Sequence, residues 1–381
     1  MRFKEFTDFW QQRTFNETFD ILTNNTLSRA ELNYEDGEYK NIHYGDVLIK
    51  FSAFTDVSSA DVPYINDDSV PTKLCSTLLQ NGDIVIADTA EDYTVGKATE
   101  VENIFESKVV SGLHTIPCRP KMRFSPRYLG YYVNSPQYHN QLIPFIQGVK
   151  VSSISKSLIK NTFISYPSLS EQSKIASFLS CLDERIATQN KIISKYESLI
   201  KGLCEYVITI ASGHPIRLGE ISIIYQPQTI TQAELSDNGA YPVFGANGII
   251  GYYNQFNHEK AQIIITCRGS TCGTVNMSAP NSWITGNSMV INVDGYESIV
   301  DKQYLFYYLK TISFKSMIPG SGQPQIVRKP LVNLLISLPE LNTQVKYRSI
   351  IDTINKKLVK EKDMLFRLFD LKAYLLLNLF I

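Results

Sequence analysis

Two long stretches of the chain carry apolar residues at steps that alternate between three and four. The first stretch runs from Ile175 to Val207, and the second runs from Tyr347 to Leu379. A seam sustained over more than four heptads is typical of helices that pack lengthwise against each other. The pattern predicts two long helices, with the seam residues Ile175, Leu179, Leu182, Ile186, Ile193 and Tyr196 in the first and Ile351, Ile354, Leu358, Leu365 and Leu368 in the second.

Polar residues interrupt these seams. Gln189 interrupts the first, and Glu361 and Lys372 interrupt the second. Each helix is expected to begin just after a proline, with Ser170 or Asn342 as the N-cap residue. The alternative is that each helix packs separately on its own domain, but two matched seams of equal length favour packing of the helices against each other.

The helices belong to an internal repeat. Shifted by 172 residues, YPSLSEQSKIASFLSCLDERI (166–186) falls on LPELNTQVKYRSIIDTINKKL (338–358). The two copies share the opening P-x-L-x-x-Q, formed by Pro167, Leu169 and Gln172 in the first copy and by Pro339, Leu341 and Gln344 in the second. A repeat of this length indicates two copies of one structural unit.

Upstream of the helices the repeat is weaker but still visible. YLGYYV (128–133) matches YLFYYL (304–309) at an offset of 176, and GDIVIAD (82–88) resembles AQIIITC (261–267). We interpret each copy as a variable globular part followed by a more similar helical part.

The globular parts are expected to be α+β. Short apolar runs predict strands at 43–51, 82–88, 108–116, 261–266 and 288–293, and helical patterns lie at 125–143 and 301–312. A length of 381 residues with 44% apolar residues also favours more than one core. The predicted divisions are a first domain at 1–165, a first helix at 166–212, a second domain at 213–337 and a second helix at 338–381.

Composition narrows the class of protein. Lys plus Arg and Asp plus Glu number 37 each, so no overall charge indicates a nucleic-acid or membrane partner. The six cysteines form no CxxC pair, so neither a zinc site nor a disulfide framework is expected, and no cofactor or metal is predicted. The N-terminus MRFKEFTDFW lacks an apolar signal region, and no apolar stretch is as long as a membrane span. We expect a soluble cytoplasmic protein.

The sequence contains no motif typical of catalysis. It has no GxxxxGK[ST], GxGxxG, HExxH or GxSxG pattern, and GSTCGTV (269–275) has the glycines of a phosphate loop without the lysine. A turn between strands is the more favoured interpretation of 269–275. We therefore predict that the chain is not an enzyme.

Several residues are candidates for nucleic-acid binding. In the first domain they are the alternating cations Arg119, Lys121 and Arg123, with Lys150 in a later loop; in the second they are Asn247 between glycines, Arg268 after a strand, and Gln323, Gln325, Arg328 and Lys329 in the loop before the last helix. Cations and amides of this kind meet phosphates and base edges. The alternatives are a solvated strand face for the first group and a hinge for the loop.

The charge of each segment limits this interpretation. Residues 1–165 carry a net charge of −4, residues 211–337 carry +1, and the two helical segments carry 0 and +3. Phosphate binding normally leaves a basic surface. If the chain binds DNA, the positive field must be local or must come from a partner.

This organisation resembles the specificity subunits of type I restriction–modification enzymes. The resemblance rests on RFKEFTDFW near the N-terminus, NIHYGDV (41–47), the two P-x-L-x-x-Q helix openings, and IRLGEI (216–221). It covers the whole chain in architecture. It implies two α+β target-recognition domains joined by two long helices that form an antiparallel coiled coil, with an internal pseudo-two-fold repeat.

The resemblance also implies a function. Each domain would read one half of a split, asymmetric duplex DNA site, the helices would hold two methyltransferase (modification) subunits, and translocating restriction subunits would join that core. The chemistry would then be in the partners. The alternative is a coiled-coil interaction scaffold without sequence-specific DNA binding, which selective retention of duplex DNA would distinguish.

Overall fold

A computed structural model of the chain describes residues 1–58, 61–73, 76–148, 151–210, 213–318 and 324–381. These residues form two compact units. Unit 1 contains residues 1–189 and 364–381, and unit 2 contains residues 190–363. Among the described residues, no helix combines the length and the apolar character needed to cross a membrane.

The globular part of unit 1 contains thirteen short strands among its described residues. They are β1 (Gln11–Thr14), β2 (Phe19–Ile21), β3 (Leu32–Asn33), β4 (Tyr39–Ile42), β5 (Phe54–Asp56), β6 (Tyr64–Ile65), β7 (Ile84–Ala87), β8 (Thr89–Ala90), β9 (Ala98–Glu102), β10 (Lys108–Ser111), β11 (Thr115–Pro120), β12 (Ser152–Ser153) and β13 (Phe163–Tyr166). The main sheet has the order β2-β11-β7-β9-β5, a second sheet has the order β10-β4-β6-β3, and β1 pairs with β13 and β8 with β12.

The short helices of unit 1 cover these sheets. They are α1 (Phe15–Thr18), α2 (Tyr44–Ile49), α3 (Val70–Lys73), α4 (Tyr128–Val133), α5 (Pro136–Leu142) and α6 (Lys156–Ile159), with 3-10 turns at Arg29–Glu31 and Ile143–Phe145. The long helix α7 (Leu169–Ile210) begins in unit 1. The main core contains five of the six residues of α4, all but Gly130, together with Ile84, Ile86 and Ile116 of the main sheet.

Unit 2 repeats this plan on a smaller scale. Its strands are β14 (His214–Arg217), β15 (Ile223–Tyr225), β16 (Tyr241–Gly245), β17 (Gly248–Tyr253), β18 (Ile263–Thr266), β19 (Val275–Met277), β20 (Trp283–Ile284), β21 (Ser288–Asn292) and β22 (Leu335–Leu338). They form a sheet of order β15-β21-β18-β19, a sheet of order β17-β16-β20 and the pair β14-β22. Its helices are α8 (Lys302–Thr311), α9 (Arg328–Val332) and the start of α10 (Leu341–Asn378), with 3-10 turns at Leu218–Glu220, Gln232–Glu234 and Phe314–Met317.

The two long helices run antiparallel, as expected. Within unit 1, Lys372 of α10 donates to the Asp183 carboxylate of α7. Within unit 2, Lys362 of α10 lies 2.7 Å from Glu197 of α7. Because the paired positions move forward along α7 while they move backward along α10, the helices have opposite directions.

The seam residues lie on the inner faces of these helices. Ile175, Leu179, Leu182, Ile186, Ile193, Ile351 and Leu358 are buried, and Tyr196, Ile354, Leu365 and Leu368 are partly buried. Each compact unit contains part of each long helix, so the helices do not form separate bodies. The predicted fold class, two α+β domains with an antiparallel pair of long helices and an internal repeat, is confirmed.

Three local expectations were wrong. Most of the predicted strand at 43–51 is a helix, α2 (Tyr44–Ile49), because His43 caps its first turn by accepting a hydrogen bond from the Gly45 N–H at Nδ1. Residues 108–116 contain two strands, β10 and the start of β11, since a turn at 113–114, with His114 at φ +53°, separates them. The long helices begin at Leu169 and Leu341, so Ser170 and Asn342 lie inside the first turn instead of capping it.

The P-x-L-x-x-Q motif has the same structure in both units. The Gln172 side chain accepts from the Ser125 N–H at 2.9 Å and donates to the Pro167 carbonyl at 2.9 Å. The Gln344 side chain accepts from the Asp301 N–H and donates to the Pro339 carbonyl, both at 2.8 Å. Both glutamines are buried. The motif therefore joins the start of each long helix to the segment that leads into α4 or α8.

Candidate nucleic-acid interface

Three residues of unit 2 that the sequence separates widely lie together at one edge of its sheets. Arg268 follows β18, Asn247 is in the turn between β16 and β17, and Gln325 precedes α9. All three are exposed. Thr271, which the sequence reasoning missed, joins them, and we call Asn247, Arg268, Thr271 and Gln325 the edge cluster.

Backbone hydrogen bonds hold Arg268 beside Gln325. The Ile326 N–H donates to the Cys267 carbonyl at 3.0 Å, and the Gly269 N–H donates to the Pro324 carbonyl at 3.2 Å. Arg268 and Gln325 are thereby directly opposite each other in an antiparallel bridge. Residues opposite each other in such a bridge have side chains on the same face, so guanidinium and amide are presented together.

A side-chain hydrogen bond connects the hairpin turn to the same loop. The Thr271 hydroxyl donates to the Asn247 side-chain oxygen, and the Thr266 hydroxyl donates to the Ala246 carbonyl. Gly248 has φ +111°, a conformation that permits the tight reversal immediately after Asn247. With its oxygen occupied by Thr271, the Asn247 amide has its NH₂ donors available.

Two further predicted cations are near this edge in sequence. Arg328 and Lys329 form the first turn of α9, and both side chains are exposed. Within the described ranges, no carboxylate lies at ion-pair distance from Arg268, Arg328 or Lys329. Gln323, predicted as part of the same loop, lies outside the described residues.

The predicted cations of unit 1 have different surroundings. The Arg119 guanidinium donates to the Asp83 carboxylate at 2.7 and 3.0 Å and to the Leu78 carbonyl at 2.9 Å. Asp83 is buried, and the hydrogen bonds to its carboxylate raise the pKa of Arg119. Most of the donors of Arg119 are therefore used inside the unit.

The other two cations follow the end of β11. Because β11 ends at Pro120, Lys121 and Arg123 do not continue it. Lys121 donates to the Asn16 carbonyl at 2.7 Å and lies 3.3 Å from the Asp20 carboxylate. Arg123 is exposed, and no ion pair forms to it within the described part of unit 1. Lys150 lies outside the described residues.

The structure thus brings together three candidate residues of unit 2, Asn247, Arg268 and Gln325, whereas it does not assemble the described candidates of unit 1. Sequence reasoning also missed Asn287, an exposed residue whose carbonyl accepts from the Cys267 N–H at 3.0 Å, next to Arg268. Its position before β21 was the available signal. In the described ranges, no three His, Cys, Asp or Glu side chains gather as metal ligands would.

Comparison with known proteins identifies the family. A family profile described as the type I restriction modification DNA specificity domain matches residues 8–198 and again residues 214–364. A protein of Methanocaldococcus jannaschii, provisionally named the type I restriction enzyme MjaX specificity subunit, is 24% identical over 95% of this chain and 91% of its own length. The type I restriction enzyme EcoprrI specificity subunit of Escherichia coli is 26% identical over 35% of this chain and 34% of its own length.

Solved structures agree in fold. The crystal structure of a type I restriction–modification S subunit from M. genitalium covers 100% of this chain and 99% of that chain, with a TM-score of 0.61 at 18% identity. A chain from a structural study of complex assembly and conformational transition of the type I R-M system has a TM-score of 0.61 at 16% identity and covers 97% of both chains. With the specificity domain matched twice along most of its length, this chain belongs to the family of type I restriction–modification DNA specificity subunits.

Proposed function

We propose that the chain recognises a bipartite, asymmetric duplex DNA site, with unit 1 reading one half-site and unit 2 reading the other, and that it has no catalytic activity of its own. The observation that carries this proposal is the edge cluster of unit 2. Asn247, Arg268 and Gln325 come from segments up to 78 residues apart, yet they present amide and guanidinium groups at one edge.

The chemistry of the edge cluster suits base edges. Arginine donates two parallel hydrogen bonds to guanine, and a glutamine such as Gln325 can donate one hydrogen bond to adenine and accept one from it. The Asn247 amide, whose oxygen accepts from Thr271, offers its NH₂ donors to an acceptor on a base edge. Arg328 and Lys329 would serve a different purpose, because exposed cations at a helix start position a protein on phosphates without reading sequence. Sequence-specific binding needs contacts to bases and contacts to phosphates. The guanidinium and amide groups would supply the first, and the nearby cations would supply the second.

The neutral charge of the chain implies that partners supply much of the positive field. We propose that two methyltransferase subunits bind the long helices and that restriction subunits join this core. Two copies are favoured by the two equivalent helix openings, in which Gln172 and Gln344 share two equivalent hydrogen bonds. The solved relative from a study of type I R-M complex assembly supports partner subunits in general.

The test is selection from random duplexes by the chain reconstituted with its methyltransferase partner. We expect enrichment of two short sequences separated by a constant number of unread base pairs. The partner without the chain is the control and should enrich no such pair. If the complex assembles but retains duplexes without preference, the chain is an interaction scaffold and the proposal of DNA reading is wrong.

A further inference from the structure

The two units place different side chains at the same three backbone positions. In unit 2 these are Arg268, Asn287 and Gln325, and in unit 1 they are Thr89, His114 and Ser153. We call these sets the unit 2 triad and the unit 1 triad. Thr89 pairs with Ser153 across β8 and β12, as Arg268 pairs with Gln325 in the isolated bridge.

Backbone hydrogen bonds establish the equivalence. The Asp88 N–H donates to the His114 carbonyl at 3.1 Å, and the Cys267 N–H donates to the Asn287 carbonyl at 3.0 Å. The Ile154 N–H donates to the Asp88 carbonyl at 2.8 Å, and the Ile326 N–H donates to the Cys267 carbonyl at 3.0 Å. Each bond in one unit therefore has its counterpart in the other.

The loop that follows β7 in unit 1 closes with the same hydrogen bond as the loop that follows β18 in unit 2. Gly96 donates its N–H to the Ala87 carbonyl, and Gly273 donates to the Thr266 carbonyl, both at 2.9 Å. Both glycines have positive φ, +91° and +94°. Between these points the loop has eight residues in unit 1 (88–95) and six in unit 2 (267–272). One backbone arrangement thus carries loops of different length and chemistry.

The side chains of the two triads differ in what they can recognise. The unit 2 triad presents a guanidinium and two amides, all exposed. In the unit 1 triad the Thr89 hydroxyl donates to the Asp88 carboxylate at 2.8 Å and lies 3.2 Å from His114 Nδ1. Hydroxyl groups hydrogen-bond to any base pair, whereas the arginine fork matches O6 and N7 of guanine.

We infer that the two triads are equivalent base-reading sites, that Arg268 selects a guanine in its half-site, and that Thr89 leaves the other half-site without a guanine requirement at the equivalent position. This inference rests on the proposed DNA reading. It adds a site in unit 1, formed by Thr89, His114 and Ser153, that the basic residues of the sequence did not indicate.

Arg268→Lys separates base reading from phosphate attraction, because lysine keeps the charge but lacks the planar fork. In selection from random duplexes with the reconstituted complex, the wild type should require a guanine at one position of one half-site. In the variant, the ratio of affinities for guanine and for the other bases at that position should fall by about 5- to 150-fold. The salt dependence of binding should stay at the wild-type value. A retained guanine preference in a folded variant would overturn the inference.

The reciprocal variant transfers the preference. Thr89→Arg should create a guanine requirement at one position of the other half-site and leave the first half-site unchanged. Gln137→Arg, which adds the same charge at an exposed position of α5, is the control and should create none. If neither triad variant changes any base preference while the wild type selects a bipartite site, the inference fails and the proposed function stands. If the wild type itself selects no sequence, the proposed function fails.

Discussion

The hydroxyl of Tyr131 donates a hydrogen bond to the Asp183 carboxylate at 2.8 Å, and this contact joins α4 to α7 within unit 1. Lys372 of α10 donates to the same carboxylate, so three helices meet at one acidic group. In unit 2, Tyr307 donates to Asp352 at 2.6 Å and accepts from the Asn355 amide at 3.0 Å. In the repeat, Asn355 is the counterpart of Asp183, and Asp352 is the counterpart of Ser180. Lys372, one of the two polar residues that interrupt the second seam, thus has a structural partner.

Tyr131→Phe should lower the free energy of unfolding of unit 1 by about 1.5–3 kcal/mol, because a hydrogen bond from a buried hydroxyl to a carboxylate is lost. Tyr93→Phe removes a hydroxyl from an exposed ring and is the control. Urea unfolding followed by tyrosine fluorescence measures both. Equal stability of the two variants would show that the Asp183 contact contributes nothing.

Gln344→Ala should destabilise unit 2 more than Gln172→Ala destabilises unit 1. Gln344 makes three hydrogen bonds, including one to the Ile299 carbonyl at 2.9 Å, whereas Gln172 makes two. At about 1 kcal/mol for each lost bond, we expect losses of about 3 and about 2 kcal/mol. Lys346→Ala, an exposed change on the same helix, should be neutral in thermal unfolding. The opposite order for the two glutamine variants would contradict the prediction.

The stability of unit 1 should depend on pH through Glu100. This side chain is 5% exposed and accepts from the N–H groups of Arg127 and Gly130, and burial raises its pKa to about 7 from the ordinary value of 4.5. A raised carboxyl pKa means that the folded state binds the proton more tightly. The contribution is therefore fully present below pH 4.5, is lost as the pH rises to about 7, and amounts to about 3 kcal/mol.

Glu100→Gln removes this titration because the amide is uncharged throughout. Urea unfolding between pH 4.5 and 8 should show a shallower decrease in stability for Glu100→Gln than for the wild type. Glu106→Gln, at an exposed position of the same unit, should follow the wild-type curve. Parallel curves for Glu100→Gln and the wild type would mean that Glu100 does not titrate in this range.

Replacing Arg328 and Lys329 together by alanine should reduce the salt dependence of DNA binding. If each side chain contacts one phosphate, the slope of log K against log salt should become less steep by about two. The preferred sequence should not change, since phosphates carry no base information. Lys315→Ala removes an exposed cation elsewhere in unit 2 and is the control. If the salt dependence of the double variant equals that of the wild type, the loop that contains Arg328 and Lys329 is better interpreted as a hinge.

One face of the last part of α10 is apolar and exposed. Phe366, Phe369, Tyr374 and Leu377 lie on it with exposed fractions between 49% and 64%, while Leu375 and Leu379 on the opposite face are buried. An exposed apolar surface on a helix is typical of a docking site. The corresponding positions of α7 carry the residues Ser194, Glu197, Gly202 and Glu205.

Of the two methyltransferase copies proposed above, one should therefore bind more weakly when Phe366, Tyr374 and Leu377 are replaced by alanine, and the other should be unaffected. The mass of the complex, measured by light scattering at saturating partner, should fall from the value for two partner copies per chain to the value for one. Ser194→Ala is the matched control on α7 and should keep both. Retention of two copies by the triple variant would show that this face does not bind the partner.

Features that depend on neighbouring residues or on repetition could be predicted from the amino-acid sequence alone. The three–four apolar spacing predicted two long helices because a helix brings residues three and four apart onto one face. The repeated Pro, Leu and Gln positions identified the two copies, although the role of Gln172 and Gln344 in holding Ser125 and Asp301 became visible only in the structure. A local cap at His43 was missed, so α2 was taken for a strand.

Which polar side chains are available for binding depends on contacts between segments that are distant in sequence. Arg119 looked as free as Arg268 in the sequence, but the fold places Asp83, 36 residues away, against its guanidinium. The same fold brings Arg268 beside Gln325 and reveals Thr89 and Ser153 as their equivalents. Such pairings are made by strands distant in sequence, and their geometry depends on register and loop closure. Local periodicity carries information about a residue's own helix or strand, but none about the charge that another strand brings to it.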